Sequence, residues 1–154
     1  MQVIEPRRVI RTYTQKINAH PGSVFPLLCP VREAEWVKGW NPSVVFSNTG
    51  FAERDCIFLT GDDQNESCWI VTEYDPYRFR LEMIKVNPGV TVGRVSIGLR
   101  LNEEGTTDAL VTYMYTALSR AGEAFIESYT EDFYVQFMKH WESSLNEYLE
   151  SRKV

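Results

Sequence analysis

The chain of 154 residues has two histidines and three cysteines, and that scarcity excludes much chemistry at once. Neither His20 nor His140 has a second His, Cys or carboxylate at a spacing that would put both on one face, so no metal centre is expected. Cys29, Cys56 and Cys68 form no Cys-x-x-Cys pair, and an odd number cannot close a full disulfide set, which leaves free thiols. There is no Gly-x-Ser-x-Gly turn, and Gly89, Gly93 and Gly98 fall before or within a strand with no Gly-Lys-Ser/Thr after them, so neither a serine-nucleophile elbow nor a P-loop is available. Asp62, Asp63, Asn65 and Glu66 lack the glycine and the distal glutamate of a calcium loop and read as a solvated turn. No apolar run approaches the roughly eighteen residues of a membrane span, and Met1–Arg8 carries no apolar leader core, so neither membrane insertion nor export is expected.

What is present is apolar and aromatic: 44% of residues are hydrophobic and 13% aromatic, enough for one packed core, read as a single domain over 1–154. The net charge of −5 disfavours nucleic acid and anionic membrane as partners, because both require a basic face; a cytoplasmic location fits. Phe125, Tyr129, Phe133, Phe137, Trp141, Leu145 and Leu149 recur every fourth residue with no Gly or Pro between them, which predicts one long amphipathic helix from about Gly122 to Arg152. Nearly everything before it reads as strand: Arg8–Ile17, Ser43–Ser47, Arg54–Thr60, Ser67–Glu73, Arg78–Val86, Val90–Leu101 and Thr107–Leu118, joined by short polar turns that make neighbours antiparallel. Between the first two strands, Ser23–Leu28 and Glu33–Val37 read as short helices limited by Pro26 and Pro30.

Alternation assigns faces. A tight Asn87-Pro88-Gly89 turn sets Glu82 opposite Arg94 and Leu81 opposite Val95, so Phe79, Leu81, Met83, Val95, Ile97 and Leu99 point at the helix. If Leu99 opposes Leu110, then Leu110, Thr112, Met114 and Thr116 join that inner face. Tyr113 and Tyr115 then lie outside, where an aromatic pair suggests a homodimer surface. The Ser67–Glu73 strand has two readings, one with Trp69, Val71 and Glu73 inward and one with Cys68, Ile70, Thr72 and Tyr74 inward, because both faces carry apolar residues. In the first reading Glu73 becomes an inward carboxylate with a raised pKa, the one candidate for acid–base catalysis.

The order strand, two short helices, six strands, long helix resembles the helix-grip fold of the START-like (SRPBCC) superfamily. The resemblance spans almost the whole chain and is carried by Ile17-Asn18-Ala19-His20-Pro21-Gly22-Ser23-Val24-Phe25, by Trp69-Ile70-Val71-Thr72-Glu73-Tyr74-Asp75-Pro76, and by the closing helix. It implies an α+β domain, a curved antiparallel sheet of about seven strands around the C-terminal helix, and, as in the polyketide cyclase/dehydrase and lipid-transport-like branch, a hydrophobic or amphipathic small molecule held between them. No cofactor is implied. The expected cavity wall comprises Trp40, Phe58, Trp69, Phe79, Leu81, Thr112, Met114, Tyr129 and Phe133, with Phe133 touching both sheet and cavity. Trp36 and Trp40 either line the entrance or staple their helix to the sheet. Ligand binding is the leading expectation. The rivals are a cyclase- or dehydratase-like enzyme using an inward carboxylate, and a protein-interaction module with a filled core.

Overall fold

The computed structural model describes residues 1–153; Val154, the last residue of the expected 1–154 domain, lies outside the described residues. Seven antiparallel strands form one sheet in the order β1-β7-β6-β5-β4-β3-β2. They are β1 (Arg8–Ile17), β2 (Val44–Phe46), β3 (Ile57–Thr60), β4 (Ser67–Asp75), β5 (Arg80–Asn87), β6 (Thr91–Leu101) and β7 (Thr107–Ala117). Between β1 and β2, α1 (Pro21–Val24) runs into a 3-10 turn at Phe25–Leu28, and a second 3-10 turn follows at Arg32–Glu35. His20 caps α1, its Nδ1 accepting from the Gly22 N–H at 3.0 Å, and Pro21 at the first helical position needs no such partner.

The expected single closing helix is two: α2 (Arg120–Ser128) and the long α3 (Glu131–Ser151). The break has a local cause. Thr130 is extended, and its hydroxyl caps α3 by accepting from the Phe133 N–H at 3.2 Å, which stops α2 at Tyr129. The residues of α3 that enter the core are Tyr134, Met138, Trp141 and Leu145. A strict fourth-residue repeat overshoots the helical turn by about 40° per step and so drifts off any one face. Phe133 and Phe137 accordingly stand 53% and 39% exposed, and Phe133 is no full core contact.

α3 lies along β1. Gln15, buried in β1, donates to the Met138 carbonyl at 3.1 Å. On the open edge of the same strand, the Glu142 carboxylate accepts from the Lys16 N–H at 2.6 Å, and Asn146 accepts from the Asn18 N–H and donates to the Lys16 carbonyl. Helix side chains thereby satisfy backbone groups that an edge strand would otherwise present.

Two register differences correct the expected faces. Met83, not Leu81, opposes Val95, a shift of two that keeps every β5 and β6 side chain on its expected face. Leu99 opposes Ala109, not Leu110, and this shift of one reverses all of β7. Asn102 sets it by accepting, through its side-chain oxygen, from the N–H groups of Glu104 and Thr106, which fixes a turn between paired Leu101 and Thr107. Ala109, Val111, Tyr113 and Tyr115 therefore face inward and are buried, while Leu110, Thr112, Met114 and Thr116 lie on the outer face. The aromatic pair that suggested a dimer surface is internal. Gly93 makes room for it, since a Cβ there would sit 2.7 Å from the Tyr115 ring.

In β4 each reading of the faces holds for half of the strand. Trp69 and Val71 are buried inward, then a bulge between Val71 and Glu73 inserts Thr72 as an extra residue and reverses the alternation. Tyr74 consequently turns in against Phe25, with ring centroids 5.1 Å apart, and Glu73 turns out.

Candidate functional site

Sheet, α3 and the chain from the second 3-10 turn to Trp40 border a cavity of about 430 Å³. Its floor is Phe58 of β3, Trp69 of β4, Met83 of β5, Val95 and Ile97 of β6, and Tyr113 of β7. Its roof is Phe133, Gln136, Phe137, His140, Trp141 and Ser144, one face of α3 at three- and four-residue steps beside the core-facing stripe. Glu33, Val37, Lys38 and Trp40 close the side. The exposure of Phe133 and Phe137 leaves the cavity open to solvent along α3.

Aromatic packing holds these walls. Phe58 and Trp69 stack at 5.2 Å between centroids, and Trp40 meets both edge-on at 6.1 and 6.2 Å while its Nε1 donates to the Pro30 carbonyl at 2.7 Å. Trp69 Nε1 donates to the Thr60 hydroxyl at 2.9 Å. Trp36 staples its turn to α3 rather than to the sheet, stacking on Trp141 at 5.8 Å with parallel rings and donating to the Leu27 carbonyl. The Lys85 ammonium lies 4.9 Å from the Trp69 ring centroid, and desolvation lowers its pKa.

The polar groups facing the cavity are few. Among the described residues Glu33 is the single carboxyl on its wall, and desolvation raises its pKa to about 8. Tyr113, across from it, is held well above the ordinary phenol value, chiefly by burial and then by the neighbouring Tyr115, Tyr129 and Glu33. Beyond Tyr113 the tyrosines continue away from the cavity. Tyr134 donates to the Val111 carbonyl at 2.6 Å, whereas the buried Tyr129 hydroxyl has no hydrogen-bond partner among the described residues. No group of three metal-ligating side chains occurs among the described residues.

Of the residues expected on the cavity wall, Trp40, Phe58, Trp69 and Phe133 line it. The other five do not. Phe79 sits in a turn at φ 57° and packs on Phe25, and Leu81 is buried in the core. Thr112 and Met114 are on the outer face by the β7 register, and Tyr129 fills the α2–α3 junction against Tyr115 and Phe125. Glu73 also lies outside, paired with Arg80 at 3.2 Å, so its position offers no acid to the cavity. Glu33 occupies the inward acidic place instead. Nothing in its local sequence marks it, since it is one of two acids in a short Arg-Glu-Ala-Glu turn, and its pair Glu35 faces Arg32. Phe137 and Trp141 were visible in the helical stripe.

No helix among the described residues is long and apolar enough to cross a membrane. No protein-family model matches the sequence, and no curated protein sequence matches it. Solved structures do. A truncated norcoclaurine synthase from Thalictrum flavum aligns with a TM-score of 0.70 at 10% identity, over 99% of this chain and 100% of that one. The same protein in complex with dopamine and hydroxybenzaldehyde aligns at 0.63 and 8%, over 97% and 90%. Ara h 8.0201 aligns at 0.64 and 8% identity, over 95% and 100%. DynU16, a protein in the dynemicin biosynthetic locus, aligns at 0.60 and 18%, over 94% of this chain and 48% of that one. Likeness at such identities speaks for the fold alone, and joined to the strand order, the two short helices and the helix laid across the sheet, it makes this a helix-grip fold.

Proposed function

We propose that the chain works as one ligand-binding domain that holds a hydrophobic or amphipathic small molecule between the sheet and α3. The observation that carries this reading is the cavity: about 430 Å³, aromatic on floor and roof, with a handful of polar groups to orient what enters. Norcoclaurine synthase, which has this fold, is seen with dopamine and hydroxybenzaldehyde, a further support for small-molecule occupancy. The three free cysteines suit a reducing compartment such as the cytoplasm.

Three of the four tryptophans, Trp40, Trp69 and Trp141, line the cavity and report its occupancy. Native mass spectrometry of protein purified from its own cells should show a small molecule bound, and stripping that molecule should shift the tryptophan emission. Protein without any bound compound, whose emission and melting temperature ignore a panel of ring-containing hydrophobic compounds, would overturn the reading.

A second reading, an enzyme of the cyclase or dehydratase kind, draws on Glu33. A carboxyl on the cavity wall that titrates near 8 is placed to give or take a proton near neutral pH. In that case Glu33→Gln lowers turnover of the cognate compound by about 10²- to 10⁴-fold. Turnover unchanged in this variant removes the reading.

A further inference from the structure

Resting on the binding reading, the polar groups of the cavity also indicate what part of the ligand they meet. Glu33 is half-buried on the second 3-10 turn, and no ion pair or hydrogen bond holds its carboxyl among the described residues; burial alone governs it. On a wall made largely of aromatic and aliphatic side chains that carboxyl is costly as an anion and, as a neutral acid, has no hydrogen-bond acceptor engaged among the described residues. The titratable and charged groups that share its cavity are Lys38 on its own segment, Tyr113 from β7 and His140 from α3; Gln136 and Ser144 of α3 add an amide and a hydroxyl. Every one of these can donate a hydrogen bond, and Lys38 repels a cation. Around them the walls are flat rings.

We propose that Glu33, as the neutral acid, donates its O–H to an uncharged oxygen acceptor, a carbonyl carried on a flat aromatic ligand, and that this contact selects carbonyl compounds over hydrocarbons and amines of the same shape. Above its titration the same group becomes an acceptor facing an acceptor, and the preference disappears. The shift of Glu33 to about 8 sets where that happens.

The test uses three matched probes, acetylnaphthalene, ethylnaphthalene and aminoethylnaphthalene, displacing the uncharged fluorophore phenylnaphthylamine from the full chain. At about pH 6.5 the ketone should bind about 5- to 10-fold more tightly than the hydrocarbon, as one net hydrogen bond allows, and at about pH 9.5 the two should bind alike. Glu33→Gln retains an N–H donor and should keep the ketone preference at both pH values. Glu33→Met should abolish the preference while ethylnaphthalene still binds, which shows that the variant is folded. The proposal is overturned by a ketone preference that survives Glu33→Met, by a wild-type preference that ignores pH, or by the amine binding most tightly. Failure of all three probes to displace the fluorophore instead strikes the cavity reading itself, and the Glu33 contact falls with it.

Discussion

Two tyrosines a short distance apart show how differently the same hydroxyl can count. Tyr134 OH is spent on the Val111 carbonyl, while Tyr129 OH is buried with no hydrogen-bond partner among the described residues. Removing a paired buried hydroxyl strands its acceptor, whereas removing an unpaired one relieves a desolvated group. Urea denaturation should therefore find Tyr134→Phe destabilised by about 1–2 kcal/mol and Tyr129→Phe unchanged or more stable by up to about 1 kcal/mol. Equal losses in both variants would mean that a water molecule or ligand serves Tyr129. At this scale the sequence was least informative. Trp40, Trp69 and Phe133 announce themselves as large apolar groups, but whether Glu73 or Glu33 faces inward turns on one bulge and one short turn that no local pattern encodes.

At the level of elements, α3 carries two stripes side by side. One, with Tyr134 and Met138 fully buried, belongs to the core; the other, with Phe133 and Phe137, roofs the cavity and meets solvent. Met138→Ala should cost about 2–4 kcal/mol in chemical denaturation, because it empties a packed site, and Phe133→Ala less than about 1 kcal/mol, because half of that ring is already wet. A loss at Phe133 as large as that at Met138 would contradict the assignment of stripes. Strands, turns and the helical C-terminal stretch were legible because each is written locally, in β-branched runs, in Asn-Pro-Gly and in a stretch without breakers, whereas the cap at Thr130 that splits this stretch was not. Register was not. The face of β7 depends on how Asn102 ties its turn, a choice settled by side-chain hydrogen bonds rather than by hydropathy.

For the whole molecule, two carboxyl groups shape stability against pH from opposite sides. Hydrogen bonds first from Lys16 and then from Asn102 and Arg100 lower Asp108 to about 2 from its ordinary 3.8. Its contribution is complete above pH 3.8 and is lost as pH falls through about 2. Glu33 moves the other way, from 4.5 to about 8. Between those values the unfolded chain releases the proton that the folded one retains, so its penalty on stability grows as pH rises and is constant above 8. From these two groups together, stability peaks near pH 4. Thermal melts across pH should find Asp108→Asn flattening the acid limb and Glu33→Gln flattening the fall between about 4.5 and 8. A Glu33→Gln profile parallel to wild type would show that this carboxyl ionises freely in the fold.

The pairing of β1 with β7 has a consequence in time as well as in space. Arg8 meets Thr116 across 108 positions of sequence, so β1 has no sheet neighbour until every other strand of the sheet has been synthesised. Its other edge waits longer still, for Glu142 and Asn146 of α3. On the ribosome, β1 must therefore stay unpaired while β2 to β6 pair in chain order, and its docking on β7 then completes the edge of the sheet opposite β2. Closure of so long a loop makes that step slow, and a chain halted before β7 would carry an open strand on either side.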